Sequence, residues 1–284
     1  MTDLLINGVV IGVLIALVAL GFALTFSILK FINFAHTDLI TVGGYLAYSC
    51  GRLKLSVVPS VIVATVLTGL LGVVIERLAY RPLRGQRLSM FLSSFGVSIL
   101  LNSSITLCFG STSRTLPIAQ DAVRVAGRTL ASAEVIALCL FLVLLPLSWF
   151  IFRKTQYGLA ARAISENWDG VALLGIPCDR LVSCVFFVSS GLAALAGILL
   201  GSLYSLSPQM GHKYGIWAFV LVVVAGFGSI FGIATTGLFA GLLITAVMYC
   251  FGSYTFVNAV LFGILTIVLL VRPDGLFGMR LRRF

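Results

Sequence analysis

The stretch Tyr157-Gly-Leu-Ala-Ala-Arg-Ala-Ile-Ser-Glu-Asn-Trp-Asp-Gly-Val-Ala-Leu-Leu-Gly-Ile176 is a polar island between long apolar segments. Placed on a helix, Ile164, Trp168 and Val171 fall at i, i+4 and i+7 and share one face, while Arg162, Glu166 and Asp169 repeat that spacing on another. This pattern reads as a short amphipathic helix and not as a span. Arg153 and Lys154 precede it and Arg180 follows, so the positive-inside tendency puts the loop at residues 154–180 in the cytoplasm.

The rest of the chain is built for a bilayer. Of its 284 residues 60% are hydrophobic and 10% charged, far below the roughly 25% charge of a soluble domain. A net charge of +10 would suggest nucleic acid in a soluble protein, but the 19 Lys and Arg cluster between apolar runs. Positive-inside topology and anionic lipid headgroups account for them, and nucleic acid is excluded as a partner. The six cysteines (Cys50, Cys108, Cys139, Cys178, Cys184 and Cys250) contain no C-x-x-C pair, and there are only two histidines. They read as buried apolar side chains, with no metal, disulfide or redox role.

Uncharged runs of about 20 residues mark spans. They cover residues 4–29, 55–75, 88–110, 135–152 and 181–206. The run Leu39 to Cys50 is too short to cross unless a helix beginning near Asn33 and capped around Thr37-Asp38 enters the membrane, which would carry His36 and Asp38 to membrane depth. From Tyr214 to Val271 no residue is charged, enough for three crossings, with breaks near residues 226–237 and 252–254. The expected fold is therefore an all-α polytopic bundle of eight or nine spans, one transmembrane domain over residues 1–284, with the N-terminus outside and the C-terminus in the cytoplasm. Residues 111–131 form the expected external loop. The pairs Gly8/Gly12, Gly197/Gly201, Gly228/Gly232 and Gly237/Gly241 carry the small-xxx-small spacing that permits close helix approach, without saying which helices pair.

No G-x-x-x-x-G-K-[ST] motif is present, and no Ser/His, paired-Asp or His/Glu metal set lies inside the spans, so no catalytic or metal-ligating residue is assigned. Asp38 and Glu76 are the acidic residues nearest membrane depth; they read as an N-cap and as an ion-pair partner of Arg77 or Arg81 rather than as a proton relay.

Five blocks, in order, resemble the membrane permeases of bacterial ABC importers for branched-chain and other hydrophobic amino acids. They are Asn33-Phe-Ala-His36; Glu76-Arg77 with Tyr80-Arg-Pro-Leu-Arg-Gly85; Gly158-Leu-Ala-Ala-Arg-Ala163 with Asn167 and Ala172-Leu-Leu-Gly-Ile176; Gly226-Phe-Gly228; and Arg272-Pro-Asp-Gly-Leu-Phe-Gly278. Thr37 stands where such permeases usually carry glycine, and Ala225-Gly226 replaces a glycine pair. The resemblance implies a second, similar permease, two ATPase subunits that bind ATP and magnesium, an external solute-binding protein, and a bacterial inner-membrane location. No cofactor is expected on this chain itself.

By the same resemblance the 157–176 helix couples to the ATPase through Gly158, Arg162, Ala163, Ile164, Glu166, Asn167, Trp168, Val171, Leu174 and Gly175, with Ile164, Trp168 and Val171 as an apolar ridge seated in a groove. An amphipathic helix lying on lipid is the alternative, although its charged face mixes signs. Asn33, His36, Thr37, Asn102 and Asn258, with Ser103 and Ser104, offer uncharged polarity for a translocation path, or else ordinary interhelical hydrogen bonds. A urea or short-amide importer on the same permease is the neighbouring reading; a gradient-driven carrier or channel is the reading from another class.

Overall fold

A computed structural model describes residues 2–116, 118, 122–125 and 128–278. Asp121 and the tail arginines Arg280, Arg282 and Arg283 lie outside these residues, as do the side chains of Asp3, Arg124 and Arg128. The helices are α1 (Thr2–Leu29), α2 (Ala35–Arg52), α3 (Val57–Ile75), α4 (Arg87–Phe109), α5 (Ser132–Lys154), α6 (Gln156–Glu166), α7 (Trp168–Leu173), α8 (Cys178–Leu203), α9 (Met210–Ala225), α10 (Ile230–Phe251) and α11 (Tyr254–Val271). Seven of them, α1, α3, α4, α5, α8, α10 and α11, are long and apolar enough to cross a membrane. The more polar α2 and the shorter α9 stand at the two remaining expected positions.

Helix α1 is the centre of the bundle, with Leu14 to Leu20 almost without exposed surface. In lipid an apolar helix gains little by hiding apolar side chains, so close backbone approach decides which faces meet. Two of the small-residue pairs meet each other. A Cβ on Gly12 would stand 2.5 Å from the Gly237 carbonyl oxygen, and one on Gly241 would stand 2.2 Å from that of Gly8. The pairs Gly8/Gly12 and Gly237/Gly241 thus form one antiparallel α1–α10 contact, sealed by Ala16 against Gly237. Helix α8 repeats the device: a Cβ on Gly197 would meet the Ile40 carbonyl oxygen of α2 at 1.9 Å, and one on Gly43 would meet the Ala194 Cα at 2.4 Å.

Helix α2 begins inside the bundle. His36 packs on Gly21, where a Cβ would stand 2.6 Å from His36 Nε2, and eight residues of helix, about 12 Å, separate Gly21 from the end of α1. Helix α9 starts at a similar depth, its Gly211 and Gly215 both pressed against Thr37. The inserted start agrees with the length expectation, but its cap is corrected. The N-cap is Phe34, without a side-chain hydrogen bond, and Asp38 lies in the first turn with its carboxylate turned into the core.

At the other end of α9 the chain clamps its own tail. Leu276 N donates to Val224 O at 2.8 Å and Phe277 N to Ala225 O at 3.0 Å. This brings Arg272–Gly278 onto Gly226-Phe-Gly228, where Gly226 (φ +89°) and Gly275 (φ +83°) permit the tight approach. Phe227 stacks on Phe26, tying the clamp to α1. Lys30, Arg77, Arg81, Arg84, Arg87, Arg153, Lys154, Arg162, Arg180 and Arg272 follow or precede helix ends on this side; Arg52, Lys54, Arg114 and Lys213 lie toward the opposite one.

Between α4 and α5 the chain forms a small antiparallel hairpin, β1 (Ala122–Val125) with β2 (Arg128–Ala131), paired from Ala122↔Ala131 to Val125↔Arg128. This is the one addition to the helical architecture among the described residues. Leu116 and Ile118 are buried, and Arg114 exchanges backbone hydrogen bonds with Leu206, so the segment after α4 is stitched onto the α8–α9 connection.

Gly12→Val and Gly241→Val are expected to lower stability by about 1–3 kcal/mol through overpacking of the α1–α10 contact. Gly96→Val, where an added Cβ meets nothing within 4 Å, is the control. Thermal unfolding in detergent checks this; equal melting of all three variants would contradict the contact.

Candidate functional site

The loop singled out by sequence is two helices and not one. Helix α6 starts directly after α5 because Thr155 Oγ1 accepts from Gly158 N at 3.3 Å and Gly158 has no Cβ to strike the Phe152 carbonyl oxygen, which would stand 2.4 Å away. Arg162 donates to that same Phe152 oxygen, satisfying a carbonyl that the end of α5 leaves free. Asn167 then ends α6 and opens α7: its backbone is extended (φ −147°, ψ 94°) and its Oδ1 accepts from Gly170 N at 2.9 Å. Gly175, at φ +76°, turns the chain out of α7.

This break corrects the expected outward ridge. Ile164 and Val171 are buried in the core of this chain, and Trp168 is half-buried with the Arg84 guanidinium 4.6 Å above its ring centroid. Ala163 and Gly170 are half-buried; Arg162, Glu166, Asn167, Asp169, Leu174 and Gly175 are exposed. The apolar surface left outside belongs to the next turn. Leu173 is 90% exposed, the largest value among the described large hydrophobic residues, and Leu174 is 77% exposed. Beside them a cavity of about 830 Å³ is lined by Arg77, Arg81, Trp168, Ala172, Asp179 and Arg180, among others. Burial pulls the Lys30 ammonium at the end of α1 below its ordinary range, partly offset by the Glu166 carboxylate, so α6 also lies close to the end of α1.

Arginine and acid alternate under α7. Glu76 begins a π-helical turn (Glu76–Tyr80) that continues α3 and passes into the 3₁₀ turn Arg81–Leu83. Its carboxylate has no exposed surface and pairs with Arg84, not with Arg77 or Arg81 as expected, while its other oxygen accepts from Ser183 Oγ at 2.8 Å. Asp179, in the first turn of α8, receives both Arg81 and Arg84.

A second polar group surrounds the inserted start of α2. Asn33 Oδ1 accepts from Tyr80 OH at 2.7 Å, and the Phe34 amide donates to Ser94 Oγ at 3.2 Å. Asp38 accepts from Ser98 on α4, and His212 Nε2 on α9 lies 3.5 Å from its other oxygen. His36 packs edge-on to Phe22, with Nδ1 3.4 Å from Ser189 Oγ. Asn33, His36 and Thr37 sit together at the start of α2, Thr37 buried against Gly211 and Gly215, while Asn102 donates to Pro208 O at 2.9 Å. Asn258 does not join them; it accepts from Trp217 Nε1 at 2.7 Å across the α9–α11 contact. Ser103 and Ser104 are exposed, and Ser104 Oγ donates back to Leu100 O. Sequence reasoning missed Ser98 and Asp179, and placed Arg84 in a family block without giving it a partner: a lone serine or aspartate carries no signal until a partner from a distant segment arrives.

Comparison with known proteins shows the family of the chain. The family model for the branched-chain amino acid transport system permease component matches residues 4–270. The chain is 34% identical to the high-affinity branched-chain amino acid transport system permease protein BraD of Pseudomonas aeruginosa, covering 96% of this chain and 94% of that one. It is likewise 34% identical to the high-affinity branched-chain amino acid transport system permease protein LivH of Escherichia coli K12, with the same coverages. In fold it is similar to a chain of PsaBC from Streptococcus pneumoniae in complex with Fab, with a TM-score of 0.54 over 94% of this chain and 91% of that one, at 13% identity.

Tyr80→Phe removes the donor to the buried Asn33 and is expected to cost about 1–3 kcal/mol, the range for leaving one buried polar partner unsatisfied. In a double-mutant cycle with Asn33→Leu the two losses should not add. Thermal unfolding of the four proteins measures this, and strict additivity would contradict the bond.

Proposed function

The chain belongs to the permease family of branched-chain amino acid transport systems, and from that premise we propose that it is one membrane subunit of an ATP-driven importer that passes branched-chain amino acids into the cytoplasm. It works beside a second, similar permease, two ATPase subunits and an external solute-binding protein. The observation that carries the reading is a match over nearly the whole chain together with an exposed apolar knob, Leu173-Leu174, at the cation-rich end.

Ten cations on that side against four described on the other favour the cytoplasm for it. With α2 and α9 counted as inserted helices, nine segments alternate, the N-terminus lies outside and the C-terminus inside a bacterial inner membrane. Residues 111–131 then face outward and 154–180 inward. ATP is hydrolysed on the partner subunits, because this chain carries no P-loop. Docking proceeds through Leu173 and Leu174, a short apolar anchor one turn after the exposed Asp169 of α7, in the helix-in-groove manner. Ile164 and Val171 hold the knob to the bundle from behind.

Two experiments test this. In vesicles holding the permeases and ATPases, labelled leucine should accumulate only with ATP and the solute-binding protein, and the permeases alone should accumulate none; ATP-driven uptake of urea but not leucine would contradict the solute assignment. Leu173→Asp with Leu174→Asp should abolish co-purification of the ATPase subunits while the chain still reaches the membrane, and full retention would refute the docking surface.

A further inference from the structure

Arg84 stands where three elements meet. It lies in the α3–α4 connection, and its guanidinium pairs at once with Glu76 at the end of α3 and with Asp179 in the first turn of α8. Its Cζ lies over the ring of Trp168, the first residue of α7, 4.6 Å from the ring centroid and within reach of a cation–π contact. The Arg84 side chain is 16% exposed and that of Glu76 is 0% exposed.

We propose that Arg84 is the positioning residue that carries displacement of α7 into the membrane helices, an inference that rests on the docking reading of Leu173-Leu174. Three physical features make it suited to this. The planar guanidinium engages two carboxylates at fixed geometry, which a lysine ammonium does not do. Glu76 is fully buried, so Arg84 cannot withdraw without leaving an uncompensated charge, and the pair moves as a unit. The space beside α7, about 830 Å³, leaves Trp168 room to shift, so pressure on the knob falls on the ring and through it on the guanidinium.

The path continues beyond Arg84. Glu76 and Tyr80 share one π-helical turn, a local irregularity often found where helices serve a function. Tyr80 holds Asn33, two residues before α2 starts, and Ser183 ties Glu76 to α8. Inward pressure on α7 therefore reaches α3, α8 and the inserted end of α2 through contacts that are each discrete.

In the complete transporter, Arg84→Lys keeps the charge against Glu76 but loses the fork and the ring stack. Solute moved per ATP hydrolysed is expected to fall at least about fivefold in Arg84→Lys and in Trp168→Leu, and to recover in Trp168→Phe. In the permease alone, backbone amide exchange over residues 168–174 should rise in Arg84→Lys while residues 157–164 stay protected. Wild-type coupling in both Arg84→Lys and Trp168→Leu, or unchanged exchange over 168–174, overturns the proposal. The docking reading fails separately: ATPase subunits that stay bound to the Leu173→Asp, Leu174→Asp chain refute docking, whereas loss of ATPase there with full coupling in Arg84→Lys refutes only the relay.

Discussion

The structure depends on backbone meeting backbone where glycine removes the side chains. Helix α1 is apolar on every side, and lipid is as good a solvent for leucine as a protein interior, so burial alone does not orient it. The α1–α10 contact does. Gly8, Gly12, Gly237 and Gly241 let the two helices approach until carbonyl oxygens occupy space where a Cβ would stand. At that range many weak dispersion and Cα–H···O contacts accumulate. With α1 held against α10, its remaining faces accept α8 and α9, and α8 in turn holds α2 and α3 through Gly197, Gly43 and Gly72.

Once the apolar packing is set, the polar residues mark where helices are interrupted. Each interruption exposes backbone groups that hydrocarbon cannot satisfy, so irregular chain survives only where protein covers it. The connection from Lys30 to Phe34 enters the bundle with Phe34 N held by Ser94 and Asn33 held by Tyr80. The α9–α10 connection is covered by the tail, whose amides take the Val224 and Ala225 carbonyls. The acidic groups follow the same logic in part: Glu76 has Arg84 and Ser183, whereas Asp38 accepts from Ser98 at one oxygen and its other oxygen has no hydrogen-bond donor, with His212 Nε2 3.5 Å away.

At the cation-rich end, one asparagine redirects the loop. An unbroken helix would place Ile164, Trp168 and Val171 on a single outward stripe. Asn167 is extended and caps α7 instead, which turns Ile164 and Val171 into the bundle and leaves Leu173 and Leu174 outside. The same turn lays Trp168 on Arg84, so the surface knob and the buried ion pairs become neighbours.

Much of this was legible without coordinates of any kind, because it follows from what each residue can tolerate locally. Uncharged runs of span length, the missing nucleotide loop, cations gathered between alternate runs and five blocks of a permease family determine a multi-helix membrane permease with a polar loop at 157–176. The too-short run before Cys50 even called for His36 and Asp38 at membrane depth, and both are buried. Which small-residue pair faces which, which arginine meets Glu76, whether Asn258 joins Asn33, and which face of the 157–176 segment points out were decided only in three dimensions. The physical reason is range: hydropathy and charge act residue by residue along the chain, whereas a helix break at Asn167 or a contact between Gly12 and Gly237 depends on segments whose separation in sequence carries no trace of their distance in space.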